Sequence, residues 1–220
     1  MKSITASVLA VLTALIAPAS AVGLDSRQGG APRSAIEVQN RVLDIVFPRE
    51  EPDSTKAIYW LVLRFSPSSE PELQINIRRT VTGSEVVLYR AESKIFDSVF
   101  ESVNEAPEDS RIDPAKIAKG IKVSKTVLHV PYDIVRRWQS GFYSNLSNSA
   151  GLLATRGSQF DRTGKETVAL DGTFFEVWYK QGLTRLSFSI YDTDAGQFSL
   201  ARWMNSVRQS AERFSVTHSR

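Results

Sequence analysis

The chain has 220 residues, of which 42% are hydrophobic and 23% charged, and its formal net charge is +3; disordered, collagen-like and low-complexity classes are excluded. It has no cysteine, which removes disulfides, iron–sulfur clusters, thiolate zinc sites and thiol nucleophiles, and the two histidines, His129 and His218, leave no His-rich metal site. The basic pairs Arg78–Arg79, Arg136–Arg137 and Lys122/Lys125 are scattered rather than gathered into a stripe, so nucleic-acid binding is not expected.

Residues 1–21 read as a secretory leader. Met1 and Lys2 make a short positive start, Val8 to Ile16 form an apolar core, Pro18 breaks it, and Ala19, Ser20 and Ala21 form a small-x-small cleavage site. Cleavage before Val22 is expected, by the Sec-type route, with the product in the periplasm or outside the cell. No later run approaches about 18 consecutive apolar residues, so no integral membrane segment is expected after leader removal. An exported, cysteine-free chain of this kind reads as bacterial. Residues 22–34, rich in Gly, Ser and Pro, are expected to be a flexible tether.

Residues 35–215 are expected to form one α+β domain, divisible into two pseudo-repeated halves, 35–120 and 121–215. Ile36 to Phe47 reads as a helical face through Val38, Val42, Leu43 and Val46, or as a β run from Val42 to Phe47; its β-branched content favours a strand. Ala57 to Phe65 is apolar on both faces, the mark of a central strand. Leu73, Ile75 and Ile77 alternate with polar residues, and Glu85 to Arg90 runs back after a turn at Thr82 to Ser84, so a meander is predicted. Ser93 is the predicted N-cap of a helix whose stripe is Ile95, Phe96, Val99, Phe100 and Val103. Asp113 followed by Pro114 predicts a short helix ending at Gly120. Lys122 to Val130 reads as a strand. Pro131 opens a longer helix with the stripe Ile134, Trp138, Phe142 and Leu146, fraying at Ser144 to Ser149.

Val168 to Leu170, Asp171–Gly172 and Thr173 to Lys180 spell strand, tight turn and strand, and Gln181–Gly182 turns again into Thr184 to Tyr191. Asp194 and Gln197 form a capping box before a last helix carrying Leu200, Trp203, Met204, Val207, Ala211 and Phe214 on one side. The predicted architecture is therefore an antiparallel sheet of two meanders, with amphipathic helices mainly on one face. The segment from Asp171 to Glu212, with its DG-x-x-F hairpin and Leu200–Ala201–Arg202–Trp203 helix start, resembles the C-terminal region of exported bacterial proteins of unknown function. That resemblance carries over no catalytic or binding residue.

Chemistry is sparse. There is no Gly-x-Ser-x-Gly elbow and no Ser-x-x-Lys, and His129 near a strand end reads as a surface or satisfied histidine. Asp192, Asp194 and Gly196 echo a calcium loop, but glycine falls one position early and no distal glutamate follows until Glu212, so helix capping is the better reading. No metal or cofactor is expected. Phe174, Glu176 and Trp178 fall on the strand face opposite Phe175, Val177 and Tyr179, with Tyr191 and Tyr89 as candidate neighbours. That face is either a second small core or an open aromatic surface for a protein or glycan partner. The functional expectation is a non-enzymatic binding module with binding residues Phe174, Glu176, Trp178 and Tyr191. The alternative is a carboxylate-dependent hydrolase of the cell envelope.

Overall fold

The computed structural model describes residues 35–49, 51, 58–81, 83–107, 112–155, 173–192 and 199–217. The expected leader and tether, the expected strand and turn at Val168–Gly172, the expected Asp194–Gln197 capping box and His218 lie outside the described residues.

Six strands form one sheet in the order β4-β3-β2-β1-β5-β6, every neighbour antiparallel. They are β1 (Tyr59–Pro67), β2 (Leu73–Arg79), β3 (Ser84–Ala91), β4 (Val123–Leu128), β5 (Thr173–Gln181) and β6 (Thr184–Asp192). The doubly apolar run is indeed interior: β1 lies between β2 and β5, and every residue from Tyr59 to Phe65 is buried. The β5–β6 hairpin pairs Gln181 with Thr184 across a two-residue turn, and Gly182 takes φ 57°, a conformation that glycine adopts without steric cost.

Strand alternation sorts the side chains into two faces. Tyr59, Leu61, Leu63 and Phe65 of β1 point with Ile75, Ile77, Phe175, Val177 and Tyr179 into the main core. Two long helices supply the other half of that core. Val135, Trp138 and Phe142 come from α4 (Tyr132–Thr155), and Leu200, Trp203, Met204 and Val207 from α5 (Ser199–Thr217). Trp203 meets Phe142 with ring centroids 5.6 Å apart. Gly141 makes room for that contact: a Cβ there would lie 2.5 Å from Trp203 Nε1. The fraying expected at Ser144 to Ser149 does not occur, and α4 continues to Thr155 because Phe142 and Leu146 anchor it to the core.

A second, smaller core sits on the opposite face, at the β3 end. It gathers Val87, Tyr89 and Ala91 with residues of α1 (Ala35–Val46), α2 (Ile95–Glu105) and α3 (Pro114–Gly120). Here the strand expected at Ile36 to Phe47 is overturned, since the segment is the helix α1. Val38, Val42 and Leu43 form one buried stripe, and packing of that stripe outweighs the weak strand preference of its branched residues.

The α2 start also differs. Lys94, not Ser93, is the N-cap, and its side chain makes no capping bond. The buried carboxylate of Glu72 takes that role across the fold, accepting from Ile95 N at 2.7 Å and Phe96 N at 3.1 Å. Only Ile95 and Val99 of the expected stripe are buried; Phe96 and Phe100 stack on each other at the surface. The short helix α3 forms as expected, with Asp113 Oδ1 accepting from Ala115 N at 2.9 Å.

Candidate functional site

The second face of the sheet is polar and aromatic, and its register reads as rows across β2, β1, β5 and β6. One row is Arg78, Trp60, Lys180 and Arg185; the next is Asn76, Val62, Trp178 and Ser187; the third is Gln74, Arg64, Glu176 and Ser189. The helix α1 and the residues after it cover the β2 side of these rows. Pro48 O accepts from Gln74 Nε2 at 3.0 Å and from Asn76 Nδ2 at 3.1 Å, which docks the end of α1 onto the sheet. On the β5–β6 side a cleft of about 510 Å³ remains. Asp44, Arg49, Glu51, Trp60, Trp178, Lys180, Arg185 and Ser187 are among the residues that line it.

Arg64 organises the centre. It is 1% exposed, in the middle of an apolar strand, so its charge requires partners on every side. Its Nε donates to Gln74 Oε1 at 3.0 Å, and its Nη1 donates to Asp44 Oδ1 at 2.9 Å and to Glu176 Oε2 at 3.2 Å. Asp44 Oδ2 takes a second guanidinium, that of Arg49, at 2.6 Å. The two guanidinium carbons lie 4.5 Å (Arg49) and 4.7 Å (Arg64) from the Trp178 ring centroid, within cation–π range. Burial raises the Glu176 carboxyl above its ordinary value, and the Arg64 charge opposes that rise.

At the outer end, Glu51 lies between two cations, its Oε1 2.6 Å from Lys180 Nζ and 2.9 Å from Arg185 Nη2. The Lys180 hydrogen bond holds the Glu51 carboxyl below its ordinary range. Trp60 forms the apolar wall of the same row and is almost fully buried, while Trp178 is half-buried.

Of the expected site residues, Phe174, Glu176 and Trp178 share this face, and Tyr191 is the register partner of Phe174 on β6. Glu176 is tied to Arg64 and lies outside the lining of the cleft; Trp178 is part of that lining. Tyr89 is not a neighbour. It sits three strands from β5, buried in the second core.

Arg64, Asp44, Arg49, Glu51, Lys180 and Arg185 were not among the expected site residues. One signal for them was local: a lone arginine, Arg64, inside the apolar run of β1. No protein-family model matches the chain, and neither the curated proteins nor the solved structures contain a significant match. The resemblance of the Asp171–Glu212 segment to exported bacterial proteins is not reinforced by these comparisons. Among the described residues, no group of three or more His, Asp or Glu side chains is arranged to hold a metal ion, and no helix is long and apolar enough to cross a membrane.

Proposed function

We propose that the chain is an exported, non-enzymatic binding module that holds a protein or glycan partner in the cleft on the β1–β5–β6 face. The observation that carries this reading is the cleft itself. Its volume falls in the range of ligand sites, and it combines two indoles with the charged heads of Arg49, Lys180 and Arg185 on a rigid sheet. Tryptophan and arginine in partly desolvated surroundings are the residue types that concentrate binding energy. Asp44 already holds the Arg49 and Arg64 guanidinium groups in place beside Trp178, so that part of the cleft would lose little conformational freedom on binding. Export is supported by the leader-like pattern of residues 1–21.

The test is an array of envelope glycans and peptides probed with the mature chain and with Trp178→Ala and Arg185→Ala variants of matched melting temperature. Signals that both substitutions weaken at least tenfold support the reading. Signals that neither substitution alters place the binding surface elsewhere.

One observation favours the hydrolase reading: Asp44 and Glu176 converge on one nitrogen of Arg64. Acid–base catalysis needs a carboxyl aimed at the substrate. Here both Asp44 oxygens are engaged by guanidinium groups, and Glu176 is outside the cleft lining. Nitrophenyl glycoside or ester hydrolysis that disappears in both Asp44→Asn and Glu176→Gln would establish the enzyme and displace the binding module.

A further inference from the structure

Lys180 and Arg185 occupy directly opposed positions on β5 and β6, with their side chains on the same face. Like charges placed opposite each other in a sheet repel and destabilise the pair. In this fold the repulsion is relieved by an anion between them, the carboxylate of Glu51. Glu51 reaches the pair from the chain that follows α1, 129 residues before Lys180, so the arrangement is tertiary and not an incidental neighbour contact. Its own side chain is 38% exposed, open enough to water for another carboxylate to compete with it.

The surroundings of this anion position are specific. Trp60 is the register partner of Lys180 on the other side, Trp178 lies in the adjacent row, and the exposed Ser187 stands beside Trp178 on β6. Within one small cleft the protein therefore offers a cation pair, a hydroxyl and the part of the half-buried Trp178 indole that the Arg49 and Arg64 guanidinium groups leave open. A sugar ring that carries a carboxylate presents the complementary set: an anionic group, ring hydroxyls and an apolar C–H face. A flexible acidic side chain of a peptide matches only the first of these.

We propose that Lys180 and Arg185 form the carboxylate-recognising end of the cleft, that its ligand is a uronic-acid sugar, and that Glu51 is an internal stand-in which the ligand carboxylate displaces. The assignment rests on the binding-module reading and adds to it the ligand class and a built-in competitor. Removing the competitor strengthens binding, whereas removing either cation weakens it. A general loss of structure produces no such opposition of effects.

The experiment is a calorimetric titration with a glucuronate-containing disaccharide, the same disaccharide with glucose in place of glucuronate, and a Glu-Glu dipeptide. The proteins are the mature chain and its Glu51→Gln, Lys180→Gln, Arg185→Gln and Arg185→Lys variants, each checked for an unchanged circular-dichroism spectrum. Glu51→Gln is expected to bind the acidic disaccharide about tenfold more tightly than the parent. Lys180→Gln and Arg185→Gln are expected to weaken it at least tenfold, with Arg185→Lys recovering part of the loss. The neutral disaccharide is expected to bind weakly, and with equal affinity to the parent and Glu51→Gln.

An unchanged or weaker affinity in Glu51→Gln overturns the stand-in role. Equal affinity for the neutral and acidic sugars overturns carboxylate recognition while leaving a sugar-binding cleft. Preference for the dipeptide overturns the sugar assignment. Absence of binding to all three probes overturns the inference, and the array above then decides separately whether the cleft binds anything else.

Discussion

Replacing Arg64 by methionine keeps an apolar stem of similar reach and removes only the guanidinium. Three side chains lose a donor at once: Gln74 Oε1, Asp44 Oδ1 and Glu176 Oε2, at 3.0, 2.9 and 3.2 Å. Removing one partner of a buried ion pair costs roughly 3–5 kcal/mol, because the remaining charge stays buried without compensation. The Asp44 share is small, since its side chain is 37% exposed and water replaces the lost partner. Glu176 is 17% exposed and carries the larger share. Loss of one cation over Trp178 adds about 0.5–1 kcal/mol. The expected cost of Arg64→Met is about 3–4 kcal/mol at pH 7, a large part of a typical stability of roughly 5–15 kcal/mol.

Urea unfolding followed by circular dichroism measures this cost, and a double-mutant cycle with Glu176→Gln isolates its cause. In the parent, Glu176→Gln loses an ion pair but is relieved of burying a charge. In the Arg64→Met background only the relief remains, so the same substitution should stabilise. A cost below about 1 kcal/mol for Arg64→Met, or an identical effect of Glu176→Gln in both backgrounds, would show that Arg64 does not compensate the buried Glu176 charge.

Other expectations concern the two faces and pH. Trp203→Ala should cost about 3–5 kcal/mol and give poorly folded protein, whereas half-buried Trp178 should cost no more than about 2 kcal/mol when truncated; equal melting-temperature losses would place Trp178 in a core. Gly141→Ala gains about 1 kcal/mol of helix propensity but drives a Cβ into the Trp203 ring at a cost of about 1–3 kcal/mol, so melting should fall; a rise would show that the ring moves aside. Glu72→Ala should cost about 1–2 kcal/mol by leaving the first amides of α2 uncapped, while Glu72→Gln, which keeps one acceptor, should cost less; equal losses in urea unfolding would contradict the cross-fold cap.

Burial is the largest influence on Glu72 and Glu176 and raises both carboxyls above the ordinary 4.5. The folded state therefore binds more protons than the unfolded chain between 4.5 and the raised values, and by linkage these two groups add stability as pH falls through that window. Urea midpoints of the parent and a Glu72→Gln/Glu176→Gln variant at pH 7 and pH 5 should differ in slope accordingly, and parallel slopes would contradict it.

What the sequence made legible was local. Alternation in Thr173 to Lys180 correctly separated Phe175, Val177 and Tyr179 from Phe174, Glu176 and Trp178, because a strand fixes faces by parity alone. The doubly apolar β1 and the α5 stripe through Trp203 and Val207 were equally direct, since burial leaves a periodic trace. Segment 36–47 carried two periodicities, and the docking of Val38, Val42 and Leu43 on the second core decided between them. The site was the least legible part. Arg64 meets Glu176 across 112 residues of chain, and Glu51 meets Lys180 across 129, so both depend on the β1–β5 pairing, which no local pattern announces. The same holds for Glu72, whose role as the cap of α2 arises only once β2 and α2 are side by side.

The four tryptophans report directly on binding at the β1–β5–β6 face, because Trp60 and Trp178 line the cleft while Trp138 and Trp203 lie in the core on the other side of the sheet. Indole N–H resonances of ¹⁵N-labelled protein, followed during titration with the strongest array ligand, report on both sides at once. Shifts at Trp60 and Trp178, with Trp138 and Trp203 unmoved, are expected. Shifts confined to Trp138 and Trp203, or no indole shift at saturating ligand, would contradict a binding site on the β1–β5–β6 face.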